Sequence, residues 1–210
     1  MSKVAITGNA SGTGVFTVAS PNSNVDRVLT LPDESGTVIT TATTLVPSTT
    51  NTAITLGTAV ATTSGTSIDF TGIPAGVKRV TVMFKTISTN GTSPVQIQLG
   101  SGSVVTSGYE SNAGYISNTS VLSSTYTTGL VVINGPSASF VNSGQIQLNL
   151  LGSNTWCEAG ILMLATAANN ALYSSSGAIT LAGVIDRLRI TTVNGTDAFD
   201  AGSVNISWEF

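Results

Sequence analysis

Apolar side chains fall on every second position from Val77 onward, with Val80, Val82 and Phe84 on one face and Arg79, Thr81, Met83 and Lys85 on the other. That period of two predicts a half-buried strand. The residues ahead of it, Phe70-Thr71-Gly72-Ile73-Pro74-Ala75-Gly76, read as a turn in which Pro74 fixes φ and Gly72 and Gly76 take angles closed to other residues. Asn90-Gly91 closes the strand with a dipeptide suited to positive φ. The far end of the chain is equally clear. Val184 to Thr192 sets Leu188 and Ile190 against Arg187 and Arg189, and Ser203 to Phe210 alternates Val204, Ile206, Trp208 and Phe210 with polar partners. These distant strands are expected to pair in one sheet core.

Further strands are predicted at Ala53 to Leu56, Ser67 to Phe70, Val95 to Leu99, Gly129 to Ile133, Gln145 to Leu151, Trp156 to Ala165 and Ala178 to Leu181, with turn residues between them. Gln145-Ile146-Gln147-Leu148-Asn149-Leu150 has one wet face and one dry. Ile161-Leu162-Met163-Leu164-Ala165 does not alternate, which predicts cover on both sides, the second face by a neighbouring subunit. The expected class is all-β: a short N-terminal intertwined β module or stalk, then a C-terminal antiparallel β-sandwich or jelly roll.

Residues 1–40 read as short strands (Val4 to Thr7, Val15 to Ala19, Arg27 to Leu31, Thr37 to Thr40) separated by Pro21-Asn22-Ser23-Asn24, Pro32-Asp33 and Ser35-Gly36. Phe16, Val18, Leu29, Leu31 and Val38 would face one way, and so few strands cannot shelter them in a lone chain. Copies of the chain are expected to supply the cover. Residues 41–52, Thr-rich and without periodicity, read as a linker or else a surface loop, and residues 53–210 as the main domain.

Composition narrows the function classes. Hydrophobic residues make up 41% of the 210 and charged ones 8%, so charge does not hold the chain open, and abundant Thr, Ser, Gly and Asn favour strands and turns over helices. A net charge of -3 with seven Lys plus Arg argues against nucleic acid, whose binding rests on a basic patch, although Lys78, Arg79, Lys85, Arg187 and Arg189 have the option of gathering on one sheet. No apolar run of about 18 residues exists to insert in a membrane, and the N-terminus lacks the apolar region of a secretory signal. The lone Cys157 forms no intrachain disulfide, and its neighbours Trp156 and Ile161 suggest a buried thiol matured in a reducing compartment.

Candidate binding residues lie where the apolar pattern lapses. Gly100 to Thr128 is rich in Ser, Gly, Asn and Tyr, and Tyr109, Tyr115 and Tyr126 there are candidate receptor contacts on displayed loops. The competing reading makes this region a pair of strands whose tyrosines pack. Trp156 follows Gly152-Ser153-Asn154-Thr155 and either stacks on a sugar ring or sits in the core, where Trp is usually found. Trp208, on an alternating strand, reads as core.

Catalytic signals are weak. The absence of histidine removes Ser-His-Asp and Cys-His catalysis and ordinary zinc sites. Glycoside hydrolysis needs two carboxyls roughly 5 to 10 Å apart. Among Asp69, Glu110, Glu158, Asp186, Asp197 and Asp200 no spacing singles out a pair. Asn194, Asp197 and Asp200 offer oxygens to calcium but fall short of its about six to eight ligands, and the same residues suit a hydrogen-bonded turn. Gly100-Ser101-Gly102 lacks the lysine and spacing of a phosphate loop. No cofactor, metal site or catalytic residue is assigned.

Two long stretches carry a family resemblance. Ile54-Thr55-Leu56-Gly57-Thr58-Ala59-Val60-Ala61, continuing from Gly65 to Phe84, resembles the C-terminal domain of tailed-phage tail fibres, and Ile185 to Ile206 looks like the closing hairpin of that domain. Gly14 to Asn22 and Leu29 to Val38 resemble a stalk module of such fibres. The resemblance implies a non-enzymatic homotrimeric virion protein, assembled in the host cytoplasm. Its N-terminal part would attach to other tail or baseplate proteins, and its C-terminal β-domain would meet a host surface glycan or outer-membrane protein. A capsid decoration or head fibre, and a glycan-cleaving tailspike, are the alternatives.

Overall fold

The computed structural model describes residues 11–14, 17, 24–25, 54–166 and 169–210. The chain divides into two units, Met1–Leu45 and Val46–Phe210. The strands expected in residues 1–40 and the linker at 41–52 lie, apart from a few isolated positions, outside the described residues.

The second unit is all-β, with fourteen strands and no helix among the described residues. In chain order they are β1 Thr55–Leu56, β2 Val60–Ala61, β3 Ser67–Thr71, β4 Arg79–Thr89, β5 Val95–Ser101, β6 Ser103–Val104, β7 Glu110–Ser117, β8 Val121–Tyr126, β9 Leu130–Ile133, β10 Asn142–Gly152, β11 Thr155–Thr166, β12 Asn169–Thr180, β13 Arg187–Thr192 and β14 Phe199–Glu209. They form a long sheet in the order β1-β14-β4-β10-β11-β12-β7-β8, with β2 also on β14, and a short one in the order β3-β13-β5-β6, with β9 also on β5. All pairings are antiparallel.

The alternation read from the sequence decides which side chains go inside. Val80, Val82 and Phe84 of β4, Ile146 and Leu148 of β10 and Val204 and Ile206 of β14 are buried, and they join Ile68, Ile97, Leu99, Leu188 and Ile190 of the short sheet in a single apolar cluster. One core thus draws on both sheets, and its burial is the main term opposing chain entropy. On the opposite face of β4, Lys85 is exposed and Arg79, Thr81 and Met83 are half-buried.

The pairing of distant strands takes a different form from the one expected. Val80 stands opposite Trp208 in the β4–β14 ladder, but β13 joins the short sheet between β3 and β5. The closing residues are therefore not a hairpin, because β13 and β14 do not pair and each completes a different sheet. The region from Gly100 to Thr128, read either as displayed loops or as a pair of strands, contains β6 and the paired strands β7 and β8, and β12 begins well before the predicted Ala178.

Turn chemistry holds in part. Gly72 and Gly76 take φ of 77° and 94°, and Ser153 and Asn154 both have positive φ in the two-residue turn joining β10 to β11, the geometry that suits strand twist. Gly91 is different, since it is absent from the positive-φ positions. A Cβ there would stand 2.0 Å from Asp197 Oδ2, so glycine is required by close approach and not by backbone angle. Asp197 is latched in that position: its Oδ2 accepts from the Ser93 N–H at 2.9 Å and its Oδ1 from Asn194 Nδ2 at 2.7 Å. Asn194 Oδ1 in turn accepts from the Thr196 and Asp197 N–H groups. These bonds use the Asn194 and Asp197 oxygens considered for calcium, and the Asn194 amide followed by the Ser93 N–H holds the Asp197 carboxyl below its usual range.

Candidate functional site on the outer face of the long sheet

Directly paired residues of an antiparallel ladder point to the same face, so the registers map that face row by row. Turned away from the core are Gln147–Ala159–Ser176–Asn112–Thr125 and, toward the end carrying Glu110, Asn149–Cys157–Ala178–Glu110. In the other direction come Gln145–Ile161–Ser174–Gly114–Ser123 and then Ser143–Met163–Leu172–Ile116–Val121. Small residues predominate in the middle of β11, β12 and β7 on this face, while long amide side chains stand on β10. The outcome is a broad hollow.

One part of it, about 500 Å³, is bordered by Tyr109, Glu110, Asn112, Thr125, Tyr126, Thr127, Ser176 and Ala178. A neighbouring hollow of about 400 Å³ lies over Gln145, Gln147, Ala159, Ile161 and Ser174, and a third of about 290 Å³ shares Glu110 and Ala178 with the first. Ser123 donates from its hydroxyl to Asn112 Oδ1 at 2.8 Å, which leaves the Asn112 Nδ2 donor uncommitted among the described residues. Cys157, expected to be buried, is half-exposed on this face, because its strand position puts it opposite Asn149 and away from the core.

Charge is distributed unevenly. Among the described residues all five cations lie on or beside β4 and β13, and none stands on β7, β8, β11 or β12. Three of them are paired: Arg79 with Glu209, Arg187 with Asp186 at 2.8 Å, and Arg189 with Asp69 through two bonds of 2.7 and 2.9 Å. Each acid raises the pKa of its arginine through a side-chain hydrogen bond. The basic residues are therefore split between the two sheets, with these three arginines committed to carboxylates.

The four sequence candidates part company. Tyr109 is 2% exposed, so it is a core residue and not a receptor contact. Its hydroxyl accepts from the Leu99 N–H at 2.8 Å and donates to the Val105 carbonyl at 3.0 Å, and burial pushes its pKa up to about 12. Trp156, 1% exposed, is likewise core, because its inner-face position on β11 directs the ring into the apolar cluster. Tyr115 is half-buried on the inner face, its ring tilted 59° against that of Tyr173 with centroids 6.0 Å apart, and it borders a separate hollow of about 160 Å³. Tyr126 is half-buried at the rim of the large hollow and donates to Asn134 Oδ1 at 2.8 Å.

The structure therefore does not bring the four aromatics together, although Tyr109 and Tyr126 both border the same hollow, Tyr109 from within the core. It does bring together Glu110, Asn112, Thr125 and Ser176, of which the sequence marks only Glu110, as one acid among several, because the others lie in strands with polar residues on both faces. The sequence signal they share is weak: Ser, Thr, Asn and Gly crowd around them, and no Pro interrupts residues 95–135.

Replacing Tyr109 with phenylalanine should cost about 1–3 kcal/mol, since the Leu99 N–H would be left buried without that partner. Urea unfolding of the variant checks this, and an unchanged midpoint would contradict the assigned role.

Among the described residues no group of three His, Cys, Asp or Glu side chains converges as a metal site, and no helix is long and apolar enough to cross a membrane. No family model, curated protein or solved structure matches this chain.

Proposed function

We propose that this chain is a structural and adhesive virion protein: a homotrimeric tail fibre, attached to the tail or baseplate by its N-terminal part, whose β-domain binds the host cell surface. The observation that carries this reading is the apolar row Met163–Leu172–Ile116–Val121, which crosses four strands of the outer face with exposures of 51, 44, 57 and 78%. A contiguous exposed apolar strip is the mark of an interaction surface. The sequence reading of Ile161 to Ala165 asks for cover on both sides, yet a single chain covers only Leu162 and Leu164 and leaves Ile161 and Met163 in water. A second copy is the simplest cover, and the apolar pattern near the N-terminus asks for the same thing.

The hollow supports a binding role over an enzymatic one. Its border carries one carboxylate, Glu110, where glycoside hydrolysis uses two.

Sedimentation velocity and mass photometry test the assembly. The expected species is a trimer of 21.2 kDa chains, shifted toward monomer by Ile116→Lys. A wild-type chain that stays monomeric at micromolar concentration would overturn the trimer. A particle reconstruction with its density on the head instead of the tail would overturn the tail assignment.

A further inference from the structure

We propose that the hollow over β7, β8 and β12 is a binding site for an uncharged glycan chain, held by Glu110, Asn112, Thr125 and Ser176. The inference rests on the adhesive reading above and names the ligand of that surface.

Four observations lead there. First, the border supplies hydroxyls from Thr125, Thr127 and Ser176, an amide from Asn112 and a carboxylate from Glu110, all exposed. These groups match the alternating donors and acceptors of a polyhydroxylated ligand. The two oxygens of Glu110 can accept from neighbouring sugar hydroxyls, and hydrogen bonds to an ionised acceptor are the stronger kind. The uncommitted Asn112 Nδ2 supplies a donor to a ring or hydroxyl oxygen.

Second, charge selects against anionic chains. Glu110 is the only charged residue at the border, and β7, β8, β11 and β12 carry no cation among the described residues. A uronate, sulfate or phosphate polymer would meet an uncompensated negative charge.

Third, the hollow lacks what a protein partner would need. Energetically dominant protein contacts are usually aromatic or aliphatic anchors filling desolvated pockets. Here the two aromatics at the border are both withdrawn, Tyr109 into the core and Tyr126 half-buried on Asn134, Ala178 is the one other apolar side chain there, and the apolar row at Ile116 lies two rows away from Asn112, about 13 Å along the strand.

Fourth, the site is a track and not a closed pocket. The neighbouring hollow of about 400 Å³ lies across the sheet over β10, β11 and β12, and the one of about 290 Å³ continues the site along the strands past Glu110. That shape suits several consecutive sugar units, each bound weakly and multiplied by the copies in a fibre.

The experiment measures binding of the full chain to surface polysaccharide from a panel of bacterial strains, separated into neutral and anionic fractions, with polygalacturonate as an anionic control. Saturation-transfer NMR and calorimetry supply the readout. The expected result is binding to the neutral fraction alone, weakened about tenfold or more by Glu110→Gln and abolished by Ser176→Trp, which fills the hollow from an exposed position. Unchanged thermal melts would show that both variants fold. Preference for the anionic fraction, or neutral binding that both variants leave intact, would overturn the site. Adherence to whole cells is read in parallel. If wild type and variants adhere alike, this site is wrong while the adhesive function stands, and if the wild type itself does not adhere, the adhesive reading falls.

Discussion

Trp156→Ala should destabilise the β-domain by about 3–5 kcal/mol, the range for deleting a fully buried aromatic side chain. Trp156 lies on β11 with Leu150 of β10 on one side and Ile179 of β12 on the other, and it is among the largest fully buried side chains among the described residues. Removing the indole leaves a cavity that two flanking strands, fixed by their own hydrogen-bond ladders, cannot close. A loss of this size is a large part of a typical domain's stability. Urea unfolding followed by Trp208 fluorescence or circular dichroism is the measurement. Had the ring been a surface platform for sugars, the same substitution would weaken binding and leave the unfolding midpoint within about 0.5 kcal/mol of wild type. The two outcomes are well separated.

Glu158→Gln should do the reverse and raise stability, but only above acidic pH. Glu158 is on the inner face of β11, opposite Leu148 of β10 and Gly177 of β12, and it is 4% exposed. The Ser175 hydroxyl donates to its Oε1 at 2.7 Å, whereas Oε2 has no partner. Burial pushes its pKa up to about 7 from an ordinary 4.5, with the Ser175 bond opposing part of the rise. A carboxyl whose folded pKa lies above its unfolded one stays protonated longer in the fold. Its contribution to stability is therefore complete below pH 4.5, declines between 4.5 and about 7, and is lost above that.

The full span amounts to about 3 kcal/mol. Glutamine keeps the shape and an acceptor for Ser175 but carries no charge. The variant should therefore match wild type near pH 4 and exceed it by up to about 3 kcal/mol at pH 8. Unfolding curves at a series of pH values provide the check, and parallel profiles for the two proteins would refute the buried-carboxyl account. Adhesion sites are not expected to respond, since Glu158 faces the core and the proposed glycan track faces water.

Legibility in the sequence followed burial. β4, β10 and β14 were readable because one face of each is dry and the other wet, so Val80, Val82, Ile146, Leu148, Val204 and Ile206 mark the inner face by type alone. β7, β8 and the first half of β12 were not. Ser111 and Ser175 are buried while Ser123 and Ser174 are exposed, and no difference in residue type records which is which. Those strands gain their ladder bonds from β11 on one side and from each other, so neighbours establish what their own pattern does not.

The candidate site shows the same divide. Tyr109, Tyr115 and Tyr126 look alike along the chain, yet Tyr109 is core and reaches the hollow only from within, Tyr115 packs against Tyr173 on the inner face, and Tyr126 is half-buried at the hollow's border. Glycine at position 91 looked like a backbone requirement and proved to be a matter of space for Asp197, a residue more than a hundred positions away.

By itself the amino-acid order determined that this domain is β throughout and which side chains of its clearest strands face inward, since alternation is a local property and water sorts the two faces. Only the tertiary structure decided that β13 and β14 serve different sheets, that Trp156 is enclosed, and that Glu110, Asn112, Thr125 and Ser176 meet around one hollow. The backbone groups that join strands are the same at every residue, so they allow many pairings, and the choice among them falls to the packing of the whole core.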